Sequence, residues 1–160
     1  MYLIKTDLRS FSAAHRLVKN YTGKCSHLHG HDYRVNLLIG AEGLNELDLV
    51  VDFDDIKTIC NDWVQGHLDH GTLVCSEDVA LLTFVHHQGQ KHYVLPNGRN
   101  ASVEALAEHL FTIFQDLWAQ HRARLNPTSF IHTVEVWESQ TSGAMFCKSD
   151  GVVKGAPCGV

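Results

Sequence analysis

Apolar residues recur at every second position along residues 32–40: Val35, Leu37 and Ile39 fall on one side, Arg34 and Asn36 on the other. That period predicts a half-buried strand. A strand of less regular alternation precedes it over residues 2–11 and runs into Ser12-Ala13-Ala14-His15, where small side chains let the backbone come close to a site. Residues 16–24 form a loop broken by Asn20 and Gly23. After a polar turn at Asn45, Glu46 and Asp48 and the short apolar run Leu49-Val50-Val51, the period lengthens. Ile56, Ile59, Cys60, Trp63 and Val64 follow helical spacing, which predicts an amphipathic helix from Asp54 to about Leu68. Asp54 and Asp55 lie where the helix dipole favours acid, and Gly71 is placed as a C′ terminator. Two β-rich runs around Gln88-Gly89-Gln90 predict a hairpin over residues 79–95. Leu106, Leu110, Ile113, Phe114 and Leu117 then predict a second helix, capped by Asn100 or Ser102, with Pro127 closing the loop after it. Residues 130–137 and 144–147 complete the pattern as two strands.

Strands in pairs with helices between them give an α+β arrangement, an antiparallel sheet covered on one face by two helices. Residues 1–148 are expected to form one domain, followed by a loosely held tail over 149–160 that carries Gly151, Gly155, Pro157 and Gly159. The formal net charge of −5 argues against a general nucleic-acid binder, which would carry a basic patch. It leaves room for a small anionic ligand held by a few local cations. No apolar stretch approaches membrane-spanning length, and five cysteines at irregular spacing are expected to be reduced thiols. These features set a cytoplasmic expectation, with Cys60 in the core.

The chemistry concentrates in Gly23–His31, G-K-C-S-H-L-H-G-H. Side chains two apart on an extended backbone share a face, so His29 and His31 can converge. With His15 from the neighbouring strand they would make a three-imidazole set with a fourth position open, the pattern of a catalytic rather than a structural zinc. His27 has the same parity, and spacing alone does not exclude it. Cys25 would be an activated thiol beside the metal or a buried spectator. Asp69-His70 would be an oriented acid/base pair or a helix end where an imidazolium offsets the dipole. Glu138, at the end of an apolar strand, can receive the paired N–H donors of a guanidine-like heterocycle or stand exposed and inert. The helix dipole alone accounts for Glu104.

Taken in order, F-S-A-A-H (11–15), G-K-C-S-H-L-H-G-H (23–31), V-V-D-F-D-D-I-K (50–57), L-D-H (68–70), S-V-E-A-L-A (102–107) and V-W-E (136–138) resemble the 6-pyruvoyltetrahydropterin synthase / 6-carboxytetrahydropterin synthase family. The resemblance implies the tunnelling fold (T-fold), here an antiparallel four-stranded sheet with two helices on one face plus an inserted hairpin. It also implies assembly as trimers that stack into hexamers, with sites shared between subunits. By position it implies zinc on His15, His29 and His31, skipping His27, a catalytic Cys25, and Asp69 and His70 as the proton-transfer partners. Glu138 would be the pterin anchor, with Ser102 and Glu104 lining the pocket. The C-x3-H-G-H spacing resembles the bacterial carboxy-type enzymes of queuosine biosynthesis. The expected activity is therefore a lyase-type conversion of 7,8-dihydroneopterin triphosphate to 6-carboxy-5,6,7,8-tetrahydropterin. A pyruvoyl-type enzyme and a non-catalytic zinc- and pterin-binding module are the alternatives. Two features depart from the family pattern: residues 71–98 exceed the usual link, and Val103 replaces a hydroxyl residue. Lys19, Lys24 and Arg34 are the triphosphate-binding candidates, by proximity alone.

Overall fold

The structure is a computed structural model and describes residues 1–147. The expected tail at 149–160 lies outside the described residues. Elements follow the order β1 (Tyr2–Asp7), β2 (Phe11–His15), β3 (His29–Ala41), α1 (Phe53–His67), β4 (Gly71–Cys75), α2 (Val79–His87), β5 (His92–Leu95), α3 (Val103–Leu125), β6 (Ser129–Trp137) and β7 (Gly143–Cys147). Among the described residues no helix is long and apolar enough to cross a membrane.

β3 organises the sheet. Its first half pairs antiparallel with β2 and its second half with β1, while β6 runs antiparallel along the other edge and carries β7 outside it. Val35, Leu37 and Ile39 are fully buried, as their alternation predicts. Each contributes roughly 1.5–3 kcal/mol by leaving water. The first predicted strand is two strands. Between them Leu8 is buried and its amide donates to the Val35 carbonyl, while the Arg9 amide donates to the Asn61 side chain, so the chain changes partner there.

α1 is capped by Asp52, whose side chain accepts from the Asp54 amide, and it buries Ile56, Cys60 and Val64. α3 is capped by Ser102 and buries Leu106, Leu110 and Phe114 in the same core. Both helices thus cover one face of the sheet. Gly71 is not the helix terminator. His70 adopts the left-handed conformation, with φ 57°, and Gly71 opens β4 with its amide bonded to the Leu68 carbonyl. A side chain on Gly71 would press on that carbonyl, at 3.0 Å from the added Cβ.

The predicted hairpin over 79–95 is a correction. Residues 79–87 are helical, and β5 runs parallel to β4, which itself runs parallel to β2. Parallel neighbours cannot be joined by a tight turn and need a crossover, which here is a helix. Asp78 starts it by accepting from the Leu81 amide, and Leu81 and Val85 pack on Val74 as a small second core. Val74 alternates with Leu73 of the main core, so α2 covers the face opposite α1 and α3. The expected four-stranded antiparallel sheet has five strands, β1, β2, β3, β6 and β7, and β4 and β5 extend it into a mixed sheet of seven. Cys25, Cys60 and Cys75 are free thiols, whereas Cys147 is disulfide-bonded, against the expectation of reduced cysteines throughout.

Arg16, in the loop after β2, ties that loop to the start of α2. Its guanidinium donates to both carboxylate oxygens of the buried Asp78, at 2.7 and 2.6 Å. The guanidinium holds the Asp78 carboxyl below its ordinary range. The pair's contribution is thus complete above the ordinary carboxylate pKa and is lost as the pH falls through the lower folded value. Asp78→Asn keeps a good helix cap and removes only the charge. It is expected to cost about 1.5–3 kcal/mol in urea unfolding at neutral pH. The difference from the parent chain should close in acid, and a constant difference at all pH values would sink the assignment.

Candidate active site

Strand register assembles the imidazoles. β2 and β3 place His15 directly opposite His29, and His31 follows two residues on along the same face. Ring centroids lie 4.6 Å apart for His15 and His29, 5.1 Å for His15 and His31, and 4.9 Å for His29 and His31. One nitrogen from each ring falls within 4.8 Å of the others. His15 is 2% exposed, and burial above all, against the Ala101 hydrogen bond, holds its pKa below the ordinary histidine value. It is therefore kept as the neutral imidazole that binds metals.

Two carbonyls set the tautomers. His15 Nδ1 lies 2.6 Å from the Ala101 carbonyl and His29 Nδ1 lies 2.7 Å from the His27 carbonyl. A carbonyl can only accept, so both Nδ1 atoms carry the proton and both Nε2 atoms present lone pairs. Those two Nε2 atoms face each other at 3.2 Å. Two lone pairs aimed together at that separation repel unless a cation lies between them, so the donor set fits a divalent metal. His27 supplies its carbonyl and not its ring, and Cys25 is outside the metal-competent cluster.

Glu138 belongs to the same face. The pairing of β3 with β6 ends at Arg34 with Trp137, so Glu138 is the residue that follows β6, at the parity of the buried Val134 and Val136. Glu138 is half-buried, and its charge acts on both His15 and Tyr33. Ala101, whose carbonyl orients His15, immediately precedes the Ser102 cap of α3, so this helix start stands over the imidazoles. The Ser102 hydroxyl is engaged with the Ala105 amide at 3.3 Å, and Glu104 is exposed on the first turn.

Cys25 sits in a single 3₁₀ turn, Lys24–Ser26, with its carbonyl accepting from the Leu17 amide at 2.8 Å. Its thiol is half-buried. The Tyr21 hydroxyl hydrogen-bonds to Cys25, which raises the tyrosine pKa. That hydroxyl lies over Gly23, where an added Cβ would meet it at 2.5 Å, so glycine keeps the approach open. Tyr21 carries no sequence signal of this kind.

Asp69 and His70 are paired and share a cavity with His31 but not with His15 or His29. Asp69 Oδ1 accepts from the Ser12 amide at 3.0 Å, Oδ2 lies 2.8 Å from His70 Nδ1, and the His70 amide donates to the Ser12 carbonyl at 2.8 Å. The His70 hydrogen bond first, and the Ser12 amide second, hold the Asp69 carboxyl below its ordinary range. The His70 ring is largely exposed and lines a cavity of about 450 Å³ with Ser12, Gly30, His31, Asp32 and Thr72. Ser12, Gly30 and Asp32 alternate with the three imidazoles, which places the cavity mainly on the opposite sheet face, with His31 also in its lining. The Glu138 carboxylate acts to raise the His15 pKa, against the larger effect of burial. α1 ends at His67, whose ring bonds to the Trp63 carbonyl, so His70 lies beyond the last helical turn.

Of the three cations considered for the triphosphate, Lys19 meets Glu77 and the Gly98 carbonyl, and Arg34 donates to the Ser139 carbonyl and lies over Trp137. Lys24 is exposed in the 3₁₀ turn.

An α+β sheet presents three convergent imidazoles, two of them with the tautomer fixed by a carbonyl, as a cluster that could hold a metal ion beside a half-buried carboxylate. The profile of the 6-pyruvoyl tetrahydropterin synthase family matches residues 4–149, and the chain belongs to that family. It is 38% identical over 110 residues to a 6-carboxy-5,6,7,8-tetrahydropterin synthase of Rickettsia bellii, covering 68% of this chain and 78% of the relative. It is 30% identical over 141 residues to the protein of that name in Rickettsia typhi, covering 86% and 96%. Among solved structures it resembles an uncharacterized protein of Wolinella succinogenes, with TM-score 0.73, 18% identity and coverage of 91% and 97%. The 6-pyruvoyl tetrahydropterin synthase of Plasmodium falciparum matches with TM-score 0.63, 20% identity and coverage of 91% and 98%. The fold is thus the T-fold.

Proposed function

We propose that residues 1–148 form one catalytic domain that acts as a zinc-dependent 6-carboxy-5,6,7,8-tetrahydropterin synthase, converting 7,8-dihydroneopterin triphosphate with loss of triphosphate and acetaldehyde. The observation that carries this reading is the pair of Nε2 lone pairs held face to face at 3.2 Å by carbonyls of Ala101 and His27, with His31 beside them. The names of the Rickettsia relatives supply the product. His15, His29 and His31 would hold the metal, which when bound supplies Lewis-acid polarisation of the substrate's side-chain hydroxyls.

The chain's own groups divide the remaining work. Glu138 accepts two parallel N–H donors from the pterin edge and so orients the ring against the imidazoles. Ser102 and Glu104, at the start of α3, border that pocket. Cys25 serves as the base that takes a proton from carbon. Asp69 holds His70 by its Nδ1, leaving Nε2 to give or take a second proton. Because this pair and His15 stand on different parts of one subunit, the reading includes a homo-oligomer, trimer or hexamer, in which His70 completes a neighbour's site.

Incubation of the zinc-loaded protein with 7,8-dihydroneopterin triphosphate tests the assignment. Triphosphate release with the mass of the 6-carboxy product is expected. The mass of the pyruvoyl product would transfer the chain to that activity, and pterin binding without triphosphate release would make it a binding module.

A further inference from the structure

His29, His31 and Tyr33 occupy alternate positions of β3, and Tyr33 and Glu138 each lie one residue beyond the last pair of β3 and β6, Arg34 with Trp137. Parity puts both on the side of the buried Val35 and Val136. The ring of Tyr33 is fixed without help from its hydroxyl. It stacks on Phe11 with centroids 5.1 Å apart and planes 13° apart, and it meets His31 and His15 edge-on at 5.6 and 6.0 Å. Phenylalanine would satisfy every one of these contacts.

The hydroxyl is therefore unexplained by packing. Tyr33 is 1% exposed, and its Oη is the buried side-chain polar atom with no hydrogen-bond partner among the described residues. A hydroxyl so buried ordinarily keeps a partner, because its lost hydration is otherwise uncompensated. After burial, the charge that acts on it is the carboxylate of Glu138.

We propose that the Tyr33 hydroxyl is a positioning group for Glu138, donating to the carboxylate oxygen nearer the sheet when a pterin is bound. This rests on Glu138 being the ring anchor, as read above. An ionised carboxylate offers about four lone-pair sites. The paired N–H donors of the heterocycle use one on each oxygen, and the sheet-side oxygen keeps a second lone pair for Tyr33. Held in this way, the half-buried side chain loses the rotation that would swing it away from the ring.

The zinc-loaded parent, Tyr33→Phe, Glu138→Gln and the double variant can be compared by fluorescence titration with neopterin and by turnover of 7,8-dihydroneopterin triphosphate. Tyr33→Phe is expected to weaken neopterin binding and raise KM about tenfold, with kcat within about twofold and zinc content unchanged. In the Glu138→Gln background the same change should alter neopterin binding by less than about twofold. An equal effect in both backgrounds, or none in either while Glu138→Gln weakens binding, overturns the positioning role. A joint fall in zinc content and kcat overturns it too, since the hydroxyl would then serve the imidazole cluster. Neopterin binding unaltered by Glu138→Gln removes the ring-anchor reading itself, and this proposal with it.

Discussion

Replacing His29 by alanine is expected to strip the metal and end turnover together, while leaving the fold intact. The loss follows from the register: His29 is the cross-strand partner of His15, and its Nε2 faces that of His15 at 3.2 Å. Without it the remaining imidazoles lose a whole ligand. Affinity should fall well beyond the roughly 10–100-fold produced by disturbing a mere supporting hydrogen bond. The fold should survive because His29 begins β3, is only half-buried and lies outside the hydrophobic cluster. The measurement is metal content after dialysis, beside circular dichroism and the triphosphate-release assay. A folded, metal-free His29→Ala protein that still turns over would end the zinc proposal.

Cys25→Ala should do the opposite to the metal and the same to the reaction. Cys25 is not part of the metal-competent cluster, so about one zinc per chain should be retained. Turnover should drop by about 10²–10⁴, the range that a positioned general base contributes. Its 3₁₀ turn is closed by the Gly23 carbonyl, which accepts from the Ser26 amide and hydroxyl at 3.0 and 2.8 Å, and none of this uses the thiol. Misfolding is thus an unsuitable explanation for lost activity, and unchanged turnover would remove Cys25 as the base.

The imidazole cluster was legible in the sequence because parity places its β3 members on one face. His29, His31, Val35, Leu37 and Ile39 share odd positions, and the alternation that marks the core also marks the ligand face. The helices α1 and α3 were legible for the same local reason. The hairpin over 79–95 was misread because V-A-L-L-T-F-V has β-like composition, whereas the decision belongs to a nonlocal fact, the parallel pairing of β4 with β5. Gly71 was misread as a terminator because its tight neighbour, the Leu68 carbonyl, follows from the turn through His70. Tyr33 could have been found, since it continues the His29 and His31 period, but nothing in a linear pattern reveals a hydroxyl without a partner. The Arg16 and Asp78 pair joins positions 62 residues apart, and no periodicity carries that information.

β3 carries ligands and core on one continuous stretch of 13 residues. A slip of its pairing by one position would turn His29, His31 and Tyr33 to the other face at the same moment as Val35, Leu37 and Ile39. The apolar residues make that slip costly, so the fidelity of the imidazole geometry is inherited from hydrophobic burial several residues away. An inserted residue between Tyr33 and Val35 would break this inheritance without touching a ligand. It would leave a stable sheet whose histidines point away from His15, a folded protein that has lost its metal through arithmetic.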